Sequence, residues 1–436
     1  MPPKIESLLK RVDKRIRPLS SEAKKQKKFA LRACARLEEE LSGYGAKTHF
    51  VGSAARDTGL RGDNDVDLFA SFPLEYEEEA IVEATKKAAE KAFDAKWVMH
   101  YAEHPYLKSV VQGFDTEVIP CFEHCENEPL KSAVDRSPLH MHYLEKKLSK
   151  KQNRLYGAEL AVQGFSGLLC EYLVLYYGSF KDLACAAESW RPPVRIDLEG
   201  RSTKEFDEPL VVIDAIDANR NVAAVVSETN LHRFMALSQA FVETSSEKFF
   251  FSKKSKATPK KAAKAFERRG TFVAAIKFAA PGVVEDILVP QLRKSERGLK
   301  RQLEVEGFPL IATASFIRDG CCFIVFEFGS NKRPAVKRMR GPFAWDSPSV
   351  TRFSNAHKNP LKGPFIEGKR VFVEVKPGEL SALKFLKKLS KNTGAYASGS
   401  YLEPGLRKAK FLSGTRLAKA APDEALDFFK KKEFWW

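Results

Sequence analysis

The densest chemistry in this sequence lies in one short stretch. Val51-Gly52-Ser53 is followed, after eleven intervening residues, by Asp65-Val66-Asp67-Leu68-Phe69. Successive side chains of a strand point to opposite faces, so Asp65 and Asp67 look the same way while Val66 and Leu68 hold the strand from behind. Two carboxylates side by side repel unless a cation lies between them. Hard oxygen donors of this type suit Mg²⁺, which also takes phosphate oxygens. Two such ions about 3.5–4 Å apart can activate an attacking hydroxyl and neutralise a departing pyrophosphate. Ahead of the pair, Gly52 lets the backbone approach a phosphate closely. Ser53 adds a hydroxyl and an N–H at a predicted helix start, a place where anions bind. Arg56, one turn on, can bring a guanidinium fork to the same triphosphate. The pattern points to nucleotidyl transfer, which needs positioning and charge neutralisation rather than a covalent nucleophile. Taken alone, Asp63-Asn64-Asp65-Val66-Asp67 could be a solvated turn; the Gly-Ser element at this spacing and the apolar flanks favour catalysis.

The elements that must position these groups follow from hydrophobic period. A helix is expected over 22–42, with Phe29, Ala33, Leu37 and Leu41 on one face and Gly43 as its stop. Strand 48–51, a one-turn helix, strand 66–72 (ended by Pro73), helix 81–95 and strands 96–101, 107–112 and 116–122 complete a small α+β unit. From about Ser137 the pattern turns helical, at 140–148 and at 165–177 with Gly178 as cap. Strands at 194–198 and 210–213 precede a helix over 228–242. Residues 245–264 read as a basic connection. A β-α-β-β order then runs through 271–278, 286–306, 310–316 and 322–328, like a ferredoxin-like or RNA-recognition-like sheet, with a further strand at 370–375 and helix at 379–390. The expected fold is therefore α+β and multidomain, with boundaries at 1–138, 139–256 and 257–436.

Lys and Arg number 73 against 56 Asp and Glu, a net charge of +17. That balance suits a long polyanion, because each phosphate contact releases bound counterions. Seven scattered cysteines read as reduced thiols of a cytoplasmic protein. Cys121, His124 and Cys125 lack the further ligands that zinc would need. No signal peptide is expected, nor any stretch of the ~18 apolar residues that a membrane span requires.

Longer strings narrow the class. Tyr101-Ala-Glu-His-Pro-Tyr106, Val118-Ile-Pro-Cys-Phe122, Lys131-Ser-Ala-Val-Asp-Arg-Ser-Pro138, Tyr156-Gly-Ala-Glu159, Gly164-Phe-Ser-Gly167 and Arg220-Asn-Val-Ala-Ala224 occur in the order and spacing of the archaeal, class I CCA-adding enzymes. Over about residues 20–240 the chain resembles that family, a branch of the polymerase β-like nucleotidyltransferases. The C-terminal third resembles it less sharply. The resemblance implies a catalytic palm with a mixed sheet, a mostly helical nucleotide-recognition domain, and a tail domain that grips tRNA. It further implies a third carboxylate on a neighbouring strand. Glu117 is the candidate, Asp115 shares its face as a rival, and Asp63 is a weaker rival in the first loop. By motif position Asp65, Asp67 and Glu117 would hold Mg²⁺, while Gly52, Ser53, Arg56, His140 and Lys151 would bind the triphosphate. His140 has a competing reading as an ordinary interdomain histidine. Arg220 and Arg233 are candidates for facing a base or a phosphate.

Three departures stand out: Glu117 where the family shows Asp, Leu160 where its nucleotide pocket carries Tyr, and Asp214-Ala215 where it tends to Asp-Pro. The implied activity is stepwise addition of C, C and A to the 3′ end of tRNA from CTP and ATP. Another terminal nucleotidyltransferase, poly(A) polymerase-like, would share the carboxylates. A non-catalytic RNA-binding relative and a protein-nucleotidylating enzyme are the other classes. Lys332, Arg333, Lys337, Arg338 and Arg340, near Phe343 and Trp345, form a candidate tRNA-gripping cluster. Oligomeric state is open, a homodimer being one outcome. Phe434-Trp435-Trp436 is expected to pack back onto a domain.

Overall fold

Amphipathic spacing makes two helices early in the chain, α1 (Lys4–Ile16) and α2 (Ser20–Leu41). In the computed structural model, which describes residues 4–101, 104–123, 163–251, 257–433 and 435, these belong to the first of two compact units, 1–253 and 254–434. After α2 come β1 (Lys47–Val51), the one-turn α3 (Gly52–Ala55), β2 (Asp65–Phe72), α4 (Glu78–Ala92), β3 (Val98–Tyr101), β4 (Pro105–Val111) and β5 (Phe114–Phe122). The strands form one mixed sheet in the order β1-β2-β5-β4-β3, in which β2 and β5 run parallel and the other neighbours antiparallel. Val66, Leu68, Ala70 and Phe72 of β2, with Phe114, Val118 and Phe122 of β5, turn to one face. There they meet the buried stripes of α2 and α4 (Phe29, Ala33, Leu37, Ile81, Ala88). Burying that many large apolar side chains is the main force holding the sheet to its helices. Alternation sends Asp65, Asp67, Asp115 and Glu117 to the other face.

The β4–β5 hairpin fixes a register that matters below. Its two loop residues, Gln112 and Gly113, both have positive φ, 52° and 84°. A two-residue turn of that hand matches the twist of the strands it joins. It sets Val111 opposite Phe114 and Lys108 opposite Glu117.

The rest of the first unit holds α5 (Gly167–Tyr177), α6 (Phe180–Glu188), β6 (Val194–Asp197), β7 (Leu210–Ile213) and α7 (Glu228–Thr244). The Ser166 hydroxyl accepts from Leu169 N at the start of α5, and Gly178, at φ 85°, closes its end. β6 and β7 pair in parallel. α1, which the sequence reading did not foresee, buries Ile5, Leu8 and Val12 against Phe180, Ala184 and Phe241.

In the second unit Thr258 caps α8 (Pro259–Glu267), a helix where the sequence suggested only a basic connection. Next come β8 (Phe272–Ala279), α9 (Glu285–Val305), β9 (Leu310–Arg318) and β10 (Cys321–Phe328). β11 (Lys337–Phe343), α10 (Ser347–Ala356), β12 (Lys362–Glu367) and β13 (Arg370–Val375) follow as an insertion whose strands make their own sheet, β11-β13-β12. Then come α11 (Ala382–Lys391), α12 (Glu403–Arg407), β14 (Lys410–Ser413), α13 (Gly414–Ala420) and α14 (Pro422–Phe429). The main sheet is antiparallel, in the order β14-β8-β10-β9, a split β-α-β-β-α-β of the ferredoxin-like kind. α9 and α11 cover one face through Leu292, Leu299, Leu303 and Leu386. The other face is also covered: Val273, Phe323 and Val325 pack with Ala262, Leu417, Ala425 and Phe429 of α8, α13 and α14. With both faces buried, this sheet offers no open surface on which bases could stack, unlike an RNA-recognition sheet.

Arg220 occupies a structural place. Its Nη1 bonds the fully buried Asp214 carboxylate at 3.0 Å, and that carboxylate also accepts from Ile216 N and the Tyr172 hydroxyl. Removing the guanidinium takes a charge-assisted hydrogen bond from a buried carboxylate, which costs on the order of 2–3 kcal/mol. Arg220→Ala should therefore lower the melting temperature by several degrees, with Arg220→Lys in between. A wild-type melting curve combined with weaker nucleotide binding would instead place Arg220 at the nucleotide.

Candidate functional site

Parallel pairing of β2 with β5 sets Asp65 opposite Asp115 and Asp67 opposite Glu117. Four carboxylates thus rise from one face at one end of the sheet. Further along that face Phe69, Ile119 and Cys121 pack with Val51 and Tyr106, an apolar floor beside the acids. The crowding raises proton affinity. Burial, then the charges of Glu117 and Asp65, push Asp67 up to about 7 against Arg56. Burial, then Asp63, push Asp65 up to about 6. The Gln26 amide steadies the start of β2 by donating to Asp65 O at 2.7 Å.

Gly52 stands directly over Asp67. Its φ is 78°, and a Cβ built there would lie 1.9 Å from Asp67 Oδ2. Glycine is required twice, for the backbone angle and for the space. Ser53, half-buried in α3, is tied to the following turn by Thr58 N, which donates to its carbonyl at 2.8 Å. Arg56 does not stand alone: its Nε bonds Glu171 Oε1 of α5 at 3.2 Å, both side chains being 13% exposed. The Thr58 hydroxyl reaches the same oxygen at 3.1 Å, and Glu171 Oε2 is buried with no partner among the described residues.

Lys108 is a second residue that the sequence reading passed over. From β4 its Nζ bonds Glu117 Oε1 at 2.7 Å. The hairpin register carried this signal, because a two-residue turn at 112–113 puts 108 opposite 117. Held by Lys108, Glu117 does not close a metal cage with Asp65 and Asp67. Among the described residues no three His, Cys, Asp or Glu side chains are gathered into one. The raised proton affinities of Asp65 and Asp67 and their hard oxygen donors still match what a divalent cation requires.

Arg233 is on α7, half-buried and 3.5 Å from Asn230 Oδ1. His140, Lys151 and Leu160 fall outside the described residues, as do the predicted helix 140–148 and Cys125. In the second unit, Arg333 is buried beneath the surface it was expected to charge. It bonds the Glu306 carboxylate at 2.5 Å and stacks 4.9 Å from the Phe308 ring. Lys337 is 3.4 Å from the same glutamate, and Arg338 pairs with Glu367. Of that cluster Lys332 and Arg340 are exposed and make no ion pair among the described residues; Trp345, 69% exposed, stacks on Phe343 at 4.6 Å.

Residues 143–251 match a family model described as tRNA nucleotidyltransferase, second domain, and residues 269–409 match the CCA-adding enzyme, C-terminal domain. A CCA-adding enzyme of Methanoregula boonei is 37% identical over 358 residues, covering 78% of each chain. That of Archaeoglobus fulgidus is 35% identical, covering 84% of this chain and 85% of its own. The Halorubrum lacusprofundi enzyme is 34% identical and spans 96% of both. The chain belongs to the CCA-adding enzymes. Among solved structures, that of E. coli MS115-1 CdnC with ATP covers 57% of this chain and 93% of its own at 15% identity and a TM-score of 0.43, too remote to add to this. Family membership makes the chain a tRNA nucleotidyltransferase. No helix among the described residues is long and apolar enough to cross a membrane.

Two outcomes follow for this member of the family. Gly52→Ala forces a side chain into Asp67 and should lower kcat by roughly 10²-fold, the scale of a misplacement of about 1 Å at a reacting centre. The second is a pH effect. In the folded chain Asp65 and Asp67 hold protons up to about 6 and about 7, whereas an unfolded Asp loses its proton near 3.8. Folding therefore favours the protonated acids. Their contribution to stability is greatest below about pH 4 and is lost as pH rises through about 6 to 7. A divalent cation bound there would replace those protons, so Mn²⁺ should raise the melting temperature more at about pH 7.5 than at about pH 5.5. Asp67→Asn should abolish the difference.

Proposed function

We propose that this chain adds C, C and A stepwise to the 3′ end of tRNA from CTP and ATP, with Asp65, Asp67 and Glu117 as the acidic centre. The observation that carries the reading is the parallel pairing of β2 and β5 beneath Gly52, which sets Asp67 beside Glu117 in a chain of this family. Asp65 and Asp67 would hold Mg²⁺, two ions being the expected number, and Glu117 would join them by exchanging Lys108 for the cation. Bound there, Mg²⁺ would supply Lewis-acid activation of the tRNA 3′-hydroxyl and neutralise charge on the departing pyrophosphate.

The chain's own groups do the positioning. Gly52 permits the triphosphate to approach the backbone, and Ser53 donates to it. Arg56, its Nε held by a Glu171 carboxylate that Thr58 also bonds, points its remaining donors with little freedom left to lose. His140 and Lys151 would join at the phosphates. A bond forms between the 3′-oxygen and the α-phosphorus, the bond from that phosphorus to the bridging oxygen breaks, and pyrophosphate leaves. Choice of C or A without a template falls to donor forks such as that of Arg233, in a pocket where Leu160 cannot supply a hydroxyl. Exposed Arg340 and Trp345 of the second unit are the candidates for gripping the tRNA body. The reading takes the protein as cytoplasmic and is compatible with a monomer or a homodimer.

Labelled CTP and ATP offered with Mg²⁺ to transcripts ending before CCA, after C and after CC test this. Each transcript should be extended to CCA and no further. Asp67→Ala should lower the rate by roughly 10³-fold or more, the scale of losing preorganised charge stabilisation. Repeated addition of A alone, or equal use of UTP, would make the chain a different terminal transferase; tRNA binding without incorporation would make it a binding protein.

A further inference from the structure

Beyond Glu22 in the first turn, which caps the helix, the charges of α2 run against its own dipole. Lys24, Lys25, Lys27, Lys28, Arg32 and Arg36 precede Glu38-Glu39-Glu40, and the last turn carries no basic residue. Cations stabilise a helix near its C-terminus and anions near its N-terminus, so this order does not serve the helix. The acids are used internally: Glu38 accepts from Thr48 N and Oγ1, and Glu40 pairs with Lys91. The cations are not. Among the described residues Lys25, Lys28, Arg32 and Arg36 make no ion pair, and the one contact of their charged groups is Lys25 over the Phe114 ring at 5.8 Å.

These four side chains line a groove of about 220 Å³, with Phe93 and Phe114 along its wall. From Lys25 to Arg36 the helix rises roughly 16 Å, enough to face several successive phosphates. A second groove of about 190 Å³ shares Lys25, Gln112 and Phe114 and continues it to Gly62, Asp63 and Asn64, the loop that leads into Asp65. The partner such a surface fits is a polyanion with apolar edges beside its charges. We propose that this groove binds backbone phosphates of the substrate tRNA, at a stretch away from its reacting 3′ end. α2 packs on the sheet face opposite Asp67 and Glu117, so the groove acts on RNA affinity and not on the chemical step. The proposal rests on the reading of the chain as a tRNA-extending enzyme.

Binding of a tRNA transcript ending before CCA, measured on the full chain without nucleotide across a salt series, tests it. Lys28→Glu/Arg32→Glu should weaken binding by about tenfold or more, and make the slope of log affinity against log salt shallower by about 2. Lys28→Gln/Arg32→Gln should give a smaller loss in the same direction, and serves alone if the reversal fails to fold. In CTP incorporation, KM for tRNA should rise while kcat at saturating tRNA stays unchanged. An unchanged affinity and salt slope overturns the proposal, even if an acidic protein then proves to bind the groove. A fall in kcat with unchanged affinity overturns it as well. If wild type adds no nucleotide, the functional reading fails, whereas the salt slope still decides whether RNA occupies the groove.

Discussion

Everything at this site follows from one unfavourable interaction that the fold enforces. Parallel pairing of β2 with β5 sets Asp67 against Glu117, and the apolar packing of the far sheet face holds both strands in place. Like charges at that separation oppose each other, and the sheet cannot relax by slipping a register. A one-residue slip would turn Val66, Leu68 and Val118 to the acidic face and empty the core. The repulsion is stored: burial, and then the charge of Glu117, raise the proton affinity of Asp67, while burial, and then Asp63, raise that of Asp65. A site in this condition gains from any cation that enters it.

Two protein cations already moderate that repulsion, and each is itself held. Lys108 reaches Glu117 from the next strand, while Arg56, which lowers the proton affinity of Asp67, is anchored by Glu171. The Glu171 contact joins a turn after β1 to a helix more than a hundred residues later in the chain. Gly52 completes the arrangement by leaving the volume above Asp67 clear of side chain. Positioning and charge are thus distributed over the palm and over the helix that follows it, which suits a reaction limited by alignment of charged groups.

What could be read from the sequence was what local rules decide. Alternation put Asp65, Asp67, Asp115 and Glu117 on one face, Pro73 ended β2, and Gly178 capped α5. The β-α-β-β order named the sheet type of the second unit. What escaped depends on who meets whom across the fold. Arg333 looked like a surface cation in a basic run, yet Glu306 and the Phe308 ring draw it inside. Glu171 is one polar residue in an apolar helix, and only the folded chain brings it to Arg56 and Thr58. Lys108 lies between these cases: its pairing with Glu117 was implicit in the turn at Gln112-Gly113. The second face of the ferredoxin-like sheet was lost for a simpler reason, since its cover, α8, begins in a lysine-rich stretch that reads as loop.

The divalent-cation site proposed for β2 and β5 would be shared by CTP and tRNA. Electron paramagnetic resonance of Mn²⁺ in the presence of CTP addresses it directly, comparing wild type with Asp67→Asn and Glu117→Gln. The account predicts a bound-Mn²⁺ signal in wild type, weakened in Glu117→Gln and lost in Asp67→Asn, with loss of CMP addition in parallel. Undiminished Mn²⁺ binding and CMP addition in Asp67→Asn would contradict it.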